Sequence, residues 1–408
     1  MTAPRRILLG AFGDPGHAFP MIALGAELAR RGNAVALQTW AKWREHVERE
    51  GMTFVAAQEY QVFPTEERPL KPYEAAVRAA GESAPQIEEW RAEAVVADII
   101  TLAPALAGEM VGAPVATLVP HVDPRPGAGF PIYSIGARLP RTRLGGELWD
   151  RGHRLMVRGA LEQGRDQLNE TRARLGLPPR DHVHNGVSRE LALLATLPQL
   201  EYPRSDPYPN AHVTGPLLWE IPGEPGVEPP PGDGPVVLVA PSTSQDPEHR
   251  MLRAALEGLA HEPVRVIATW NRRTPDPPLD VPDNAVVVDW LSYAKTMPRC
   301  DTVLCHAGHG TVVRALASGC SVVCCPAAGD MNENASRVDW AGLGTRLPRR
   351  FVTPRGVRLA VRKALASRRI RTNVAAAARW CAEHDGAARA ADLVEELAGD
   401  RERSYLRL

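Results

Sequence analysis

Short apolar runs alternate with amphipathic segments along this chain, and the alternation occurs twice. In the first half, apolar runs at residues 7–12, 34–39 and 53–56 are separated by helical patterns. Such strand–helix alternation is typical of a parallel sheet covered by helices. The same rhythm starts again at Val236. We therefore expect an α/β protein with two Rossmann-like parallel-sheet domains that face each other across a cleft.

A proline-rich segment separates the two halves. It reads IPGEPGVEPPPGDGP over residues 221–235, a composition typical of an extended, semi-rigid linker. With 408 residues, the chain is also too long for one ordinary core. We predict an N-terminal domain at residues 1–215, a linker at residues 216–235, a second domain at residues 236–388 and a final helix at residues 389–408.

The first half also contains an irregular insertion. Residues 121–146 are rich in Pro, Gly and Arg and show little periodicity. In an α/β domain, an insertion of this kind usually lies at the rim of the ligand crevice. A single long helix is expected to follow it, from about Trp149 to Leu175.

The composition argues against several classes of protein. Hydrophobic residues make up 44% and charged residues 24% of the chain, as in globular proteins. The formal net charge is zero, which argues against a nucleic-acid partner. No apolar run reaches the ~20 residues of a membrane span, and residues 7–12 are too short for a signal segment. We therefore expect a cytoplasmic protein without integral membrane contact. The six cysteines form no CxxC pair and are expected to be buried thiols.

The turn after the first apolar run carries a histidine. The sequence GAFGDPGHAFP leads from the strand into a helix and contains His17. Ligands of open α/β sheets bind at the carboxyl ends of the strands. An imidazole titrates near neutral pH, so His17 can serve there as a general base. Asp98, just after the apolar run 94–97, is the best-placed carboxylate to orient it. The alternative for both residues is a capping or packing role.

A second glycine-rich turn follows the apolar run that ends at Cys305. It reads HAGHGT from His306 to Thr311 and leads into a helix. Backbone N–H groups at a helix N-terminus, a hydroxyl and an imidazole together form an anion site, which suits a departing diphosphate. Taken alone, His306 can equally be a histidine of the core.

Other candidates surround this second turn. Trp290 follows a strand and can stack on a flat base, or simply pack in the core. Ser242 and Thr243 follow the first strand of the second half and can donate to phosphate, or form a turn. Asp330 precedes a helix and can accept hydrogen bonds from sugar hydroxyls, or cap the helix. No Asp-x-Asp pair is evident, so we expect no metal.

Together these segments resemble the bacterial branch of the family 1 (UDP-glycosyltransferase-like) glycosyltransferases, which decorate antibiotics and similar natural products. The N-terminal part of the resemblance is GHxxP at residues 16–20 with Arg-Gly at 31–32. The C-terminal part is Asp-Trp at 289–290, HAGxGT at 306–311 and Gly-Asp at 329–330.

The resemblance implies a GT-B fold and transfer of a sugar from a dTDP- or UDP-sugar to a small hydroxylated acceptor, without a further cofactor. The transfer would invert the anomeric carbon, with His17 as base and Asp98 as its partner. Gly16 and His121 would contact the acceptor. The last helix would pack back onto the first domain, and a homodimer is allowed. The donor would contact Ser242, Thr243, Trp290, Leu291, His306, Gly308, Gly310, Thr311, Asp330 and Met331.

Three positions depart from the family pattern. Met331 replaces the usual Gln after the sugar-binding Asp, which removes a hydrogen-bonding side chain and favours a deoxygenated sugar. Tyr293 and Ser292 replace the usual residues beside the base-stacking Trp, so the base contacts differ.

Two other functions remain open on the sequence. A nucleotide-sugar 2-epimerase-like isomerase shares the two-domain fold and would turn over a donor without any acceptor. A non-catalytic auxiliary protein would keep the fold and stabilise a partner enzyme, but it would lack the charged site residues found here.

Overall fold

Two parallel β-sheets form the framework of the protein. The computed structural model describes residues 4–57, 74–181, 187–205, 207–242, 246 and 248–405. The strands of the first sheet are β1 (Arg6–Gly10), β2 (Ala34–Thr39), β3 (Thr53–Ala56), β4 (Ala94–Asp98), β5 (Val115–Val119), β6 (Leu191–Leu194) and β7 (Ala211–Val213). Their spatial order is β3-β2-β1-β4-β5-β6-β7.

The second sheet has the order β10-β9-β8-β11-β12-β13. Its strands are β8 (Val236–Ala240), β9 (Arg265–Thr269), β10 (Ala285–Val288), β11 (Thr302–Cys305), β12 (Ser321–Cys324) and β13 (Gly344–Arg346). No helix or strand lies between Val213 and Val236 in the structure. The two-sheet α/β architecture expected from the alternation of patterns is confirmed.

Helices cover both sheets. Those of the first half are α1 (Pro15–Arg30), α2 (Arg44–Arg49), α3 (Glu74–Trp90), α4 (Leu102–Met110), α5 (Arg143–Met156) and α6 (Arg158–Arg174). Those of the second half are α7 (Arg250–Leu259), α8 (Tyr293–Thr296), α9 (His309–Ala317), α10 (Asp330–Ala341), α11 (Pro354–Ala366), α12 (Arg368–Glu383) and α13 (Gly386–Tyr405).

The central strands are apolar because both of their faces are covered. Ile7 and Leu9 of β1 are fully buried against α1, and Leu8 is buried on the opposite face. Parallel strands buried in this way appear as continuous apolar runs in the sequence. The register pairs Gly10 with Ala97 of β4, so the ends of these neighbouring strands lie side by side. Whatever follows each strand is therefore brought to one edge of the sheet.

The structure corrects two expectations about the helices. The helix expected from Pro20 begins at Pro15, so Pro20 lies inside α1. The single long helix expected from Trp149 to Leu175 is two helices, α5 and α6, which meet at Val157. Gly159 stands two residues after that break, and glycine is a poor helix former, so the sequence carried a weak signal for it.

The insertion predicted at residues 121–146 crosses to the second half. The hydroxyl of Ser336 in α10 donates to the carbonyl of Gly136 at 2.8 Å, and the Arg346 guanidinium donates to the same carbonyl. Arg138 pairs with Asp339 at 3.0 Å. The segment therefore bridges the two halves at one side of the cleft.

A buried arginine strengthens this bridge. Arg337 of α10 donates to the carbonyl of Leu200 at 3.0 Å and to the carboxylates of Glu201 and Glu333, both at 2.9 Å. Its guanidinium also lies 4.2 Å from the centre of the Tyr202 ring. Only 2% of Arg337 is exposed, so its charge is almost wholly neutralised by protein groups.

The last helix returns to the first half. Ala390 and Val394 of α13 are buried in the same cluster as Met21 and Leu24 of α1. Arg31, just after α1, forms ion pairs with residues of α13, Asp392 at 2.7 Å and Glu395 at 3.0 Å. The predicted domain limits themselves stay a prediction.

We predict that Arg337→Leu lowers the free energy of unfolding by about 3–5 kcal/mol, because it leaves two buried carboxylates unpaired. Urea denaturation followed by circular dichroism measures this. The control is Arg362→Leu, which removes an exposed partner of Glu262 and should leave the midpoint nearly unchanged. Equal midpoints for the two variants would contradict the assignment.

Candidate active site

His17 lies in the first turn of α1, just beyond the carboxyl end of β1. Pro15 occupies the first helical position, where its missing N–H is no loss. Nδ1 of His17 lies 2.8 Å from Oδ1 of Asp98, the last residue of β4. The His17 side chain is 22% exposed and that of Asp98 is 1% exposed. The pair therefore combines a buried carboxylate with a partly exposed ring.

Two further donors hold the Asp98 carboxylate. Its Oδ2 accepts from the backbone N–H of Phe12 at 3.4 Å and from the hydroxyl of Thr101 at 3.3 Å. Because an ionised carboxylate only accepts hydrogen bonds, Nδ1 of His17 must carry the shared proton. The other ring nitrogen, Nε2, is then free to accept a proton.

The surroundings of His17 raise its pKa above the ordinary value of 6.5. Burial acts to lower the pKa, but the charge of Asp98 and the hydrogen bond to it outweigh burial. Asp14 and Asp330 raise it further. Because Asp330 belongs to α10 of the other half, the second sheet domain faces this imidazole across the cleft.

A second imidazole lies on the same wall. His121 follows β5, and its Nδ1 lies 2.8 Å from the carbonyl of Val122 and 3.3 Å from the hydroxyl of Tyr133. Burial lowers the pKa of His121, so the ring is neutral at pH 7. The charges of His17 and Asp330 both act on it, which puts all three groups in one cleft.

In the first turn, Gly13 is the position where the neighbouring side chains leave no room for a larger residue. A side-chain carbon at Gly13 would collide with the Trp40 indole, whereas one at Gly16 would meet nothing within 4 Å. Trp40 in turn packs edge-on against Phe12 at 4.9 Å between ring centres, and Phe12 packs edge-on against His17 at 6.2 Å. This aromatic series supports the His17 ring from the side.

The second glycine-rich turn follows β11. Ala307 has a left-handed backbone with φ of 67°, and Gly308 caps α9. A side-chain carbon at Gly308 would collide with Nε2 of His306, so a larger residue there would displace that ring. Gly310 faces open space, and Thr311 is half-buried. The first N–H groups of α9 are therefore accessible to an anion.

His306 and Ser242 line a cavity of about 170 Å³ beyond the ends of β8 and β11. Nδ1 of His306 is 3.5 Å from the carbonyl of Ala240, and burial lowers the pKa of this ring. Arg250 and Arg349 also line the cavity. Thr243 lies outside the described residues.

The two candidate base contacts differ in position. Trp290 follows β10 and is half-buried, with the guanidinium of Arg272 at 4.6 Å from its ring centre. The side chain of Leu291 is 2% exposed and belongs to the core. Leu291 is therefore a core residue and offers no side chain to a ligand.

Asp330 and Met331 begin α10, and both are half-buried. Gly329 is the N-cap residue, so Asp330 stands inside the first turn rather than capping it. The charge of Asp330 acts on His17, His121 and also His306. Among the carboxylates named here, Asp330 alone affects the pKa values of histidines on both walls of the cleft.

The described part of the chain contains neither a metal-binding cluster nor a membrane-spanning helix. Within it, no three His, Cys, Asp or Glu side chains come together as metal ligands would. Nor does any described helix combine the length and apolar character needed to span a bilayer.

Comparison with known proteins identifies the family. Residues 253–397 match the family described as "Erythromycin biosynthesis protein CIII-like, C-terminal domain". The 4'-demethylrebeccamycin synthase of Lentzea aerocolonigenes is 30% identical, over 96% of this chain and 99% of its own length. The chain belongs to the family of natural-product glycosyltransferases.

Solved structures show that this glycosyltransferase has the GT-B fold. The kitacinnamycin glycosyltransferase gives a TM-score of 0.77 at 21% identity, covering 97% of this chain and 100% of the other. VinC, a glycosyltransferase solved in complex with dTDP, gives 0.65 at 17% identity, with coverage of 97% and 100%. The family and fold expected from the sequence motifs are confirmed.

Several residues of the glycosyltransferase cleft escaped the sequence reasoning. Phe12 and Tyr133 contact the two histidines of the first wall, and Arg349 lines the cavity of the second. His309 and Asn334 hydrogen-bond beneath the glycine-rich turn. For His309 the signal was present, since a histidine stands at the variable position of HAGxGT.

We predict that Asp98→Asn shifts the acid limb of the pH–rate profile to lower pH. The raised pKa of His17 comes from Asp98, and a base must be unprotonated, so wild-type kcat/KM should rise with pH through a value above 6.5. The variant should also lose about 10²–10⁴ in kcat, because the tautomer is no longer fixed. An acid limb at the same pH in both proteins would refute the pairing.

We also predict that binding of dTDP-glucose takes up a proton at His306. Burial lowers the pKa of this ring, and a bound diphosphate should raise it. Affinity should therefore be greater at pH 6 than at pH 8, as measured by titration calorimetry. The dependence should be lost in His306→Ala, which retains His17 as the control. Its persistence in that variant would assign it elsewhere.

Proposed function

We propose that this glycosyltransferase moves a sugar from a dTDP- or UDP-sugar to a hydroxyl of a small natural-product acceptor, with inversion and with His17 as general base. The observation that carries the proposal is the 2.8 Å contact between His17 and Asp98, in a cleft whose other wall holds Asp330 and the glycine-rich turn. The dTDP bound in the structure of VinC supports the choice of donor class.

The base step follows from the tautomer of His17. Asp98 holds the proton on Nδ1, so Nε2 can take the proton of the acceptor hydroxyl as its oxygen attacks. The imidazolium that forms is stabilised by the buried carboxylate, which is already oriented by Phe12 and Thr101. General base catalysis of this kind contributes about 10²–10⁴ in rate.

The leaving group would be held by the second turn. As the bond to the anomeric carbon breaks, negative charge grows on the diphosphate. The N–H groups at the start of α9, around Gly310, and the hydroxyl of Thr311 are fixed donors for that charge. Ser242 and His306, across the cavity, complete the set.

The sugar would lie between the two walls, next to Asp330 and Met331. Asp330 can accept hydrogen bonds from sugar hydroxyls, and Met331 presents an apolar thioether where a Gln would offer an amide. Met331 packs against the apolar core of the second domain, as does Tyr133 from the opposite half. This apolar contact suits a sugar that lacks one hydroxyl.

The placement of the two walls supports inversion. The base belongs to the first half and the diphosphate turn to the second, and the sugar would lie between them. The acceptor oxygen would attack from the side of His17 and the diphosphate would leave toward α9, which is a single in-line displacement. An α-linked donor would then give a β-linked product.

The acceptor would occupy the ends of β1, β4 and β5. Phe12 packs beside His17, and Ile100, two residues beyond Asp98, is an apolar side chain that is 46% exposed. His121 is neutral, and its Nε2 can accept a hydrogen bond from a second polar group of the acceptor. An acceptor with an apolar body and few hydroxyls fits this surface.

The test is a transfer assay with a stereochemical readout. Thermal-shift screening with dTDP, UDP and GDP selects the nucleotide, and we expect dTDP or UDP to stabilise the protein. The matching nucleotide-glucose, incubated with a panel of hydroxylated aromatic compounds, should give products one hexosyl unit heavier by mass spectrometry. The anomeric proton coupling in the NMR spectrum should be that of a β-glucoside.

Two outcomes of this assay would reject the proposal. An α-linked product would exclude the single displacement. Isomerisation of the nucleotide sugar in the absence of any acceptor would favour the 2-epimerase-like reaction instead.

A further inference from the structure

His309 has no part in the chemistry proposed above, although it is the first residue of α9. Its side chain is 6% exposed and lies beneath the glycine-rich turn. Nδ1 of the ring is 3.3 Å from Oδ1 of Asn334, which belongs to the second turn of α10. The histidine therefore joins the helix that would hold the diphosphate to the helix that carries Asp330.

Asn334 determines which ring nitrogen carries the proton. Its Nδ2 donates at 3.0 Å to the carbonyl of Ala307, which can only accept. The amide oxygen of Asn334 must therefore face His309, and Nδ1 of His309 must donate to it. Ala307 has the left-handed backbone of the turn, so the same amide also holds that unusual conformation.

The other ring nitrogen lies against the first domain. Nε2 of His309 is fully buried and makes no hydrogen bond to any described residue. The backbone of Ala195, just beyond β6, and the ring of His121 are close enough to act on the titration of His309. Burial lowers the pKa of His309 to about 3, so the ring stays neutral at any pH at which the enzyme works.

A buried nitrogen without a partner weakens the fold, typically by about 1–3 kcal/mol. A leucine of similar size would avoid that loss at Nε2. The two hydrogen bonds around Asn334 instead connect two elements of the cleft, the glycine-rich turn that leads into α9 and the start of α10. The arrangement thus holds the turn and the start of α10 in a fixed relative position at some cost to the free energy of unfolding.

We propose that His309 and Asn334 are positioning residues that align the diphosphate turn with Asp330. The inference rests on the proposed function, in which the turn holds the leaving group and Asp330 holds the sugar. Losing the link should misalign the two halves of the donor while leaving each half able to bind, since misplacement chiefly slows the reaction step.

The test uses His309→Leu and His309→Asn in the full chain, with the donor and acceptor found in the transfer assay. Leucine removes both ring nitrogens, whereas the asparagine amide can place a donor near the position of Nδ1. We expect His309→Leu to lower kcat about tenfold, with the Kd for dTDP within about threefold of wild type. His309→Asn should recover kcat to within about threefold. His261→Leu, at an exposed histidine, is the matched control.

Thermal midpoints separate this role from a merely structural one. His309→Leu removes the unsatisfied Nε2 but strands Oδ1 of Asn334, so the two effects on stability oppose each other and the midpoint should change little. A large fall in the midpoint together with lost dTDP binding would show a structural role and overturn the proposal. A kcat equal to that of His261→Leu, or no recovery in His309→Asn, would overturn it as well.

A spectroscopic readout does not depend on turnover. The ¹⁵N NMR shifts of His309, assigned by comparison with His309→Asn, should be those of a neutral ring protonated on Nδ1 between pH 5 and pH 8. A ring protonated on Nε2, or one that titrates in this range, would contradict the link. His306→Ala serves as the reference for the proposed function. If it binds dTDP normally, the diphosphate site is wrong, whereas failure of the His309 variants alone overturns only this inference.

Discussion

The hydrogen bond between His17 and Asp98 is the interaction on which the rest of the site depends. It exists because β1 and β4 are neighbours in the sheet, with Gly10 beside Ala97, so that the turn after one strand meets the end of the other. The carboxylate is buried and the ring is partly exposed. Burial alone would leave the imidazole a weaker base, and the carboxylate reverses that effect. The order of the strands therefore determines that a buried carboxylate meets a partly exposed imidazole.

The second constraint is the attachment of the two halves to each other. The buried Arg337, the segment around Gly136 and the returning helix α13 all cross between them. Together they bring Asp330 close enough to act on His17. A cleft built from two domains needs such contacts, because His17 and the glycine-rich turn at residues 306–311 belong to different domains.

Local patterns in the sequence predicted much of this arrangement. Strands buried on both faces are continuous apolar runs, and these runs predicted most of the longer strands. The glycine-rich turns predicted that His17 and His306 follow the ends of strands. The strands β7 and β13 were missed because three residues carry too little pattern, and β6 was missed although its four residues are all apolar. Thr243 lies outside the described residues, and Leu291 proved to be a core side chain.

What the sequence could not predict were contacts between distant segments. Arg337 meets Glu201, and Gly136 meets Ser336, across more than a hundred residues of chain. Spacing carries no information about such pairs, since they depend on how the two sheets dock. The most direct test is the rate of transfer by His17→Ala together with its affinity for the nucleotide sugar. The account predicts a loss of about 10²–10⁴ in kcat with the donor Kd unchanged within about threefold. Transfer at the wild-type rate would contradict it.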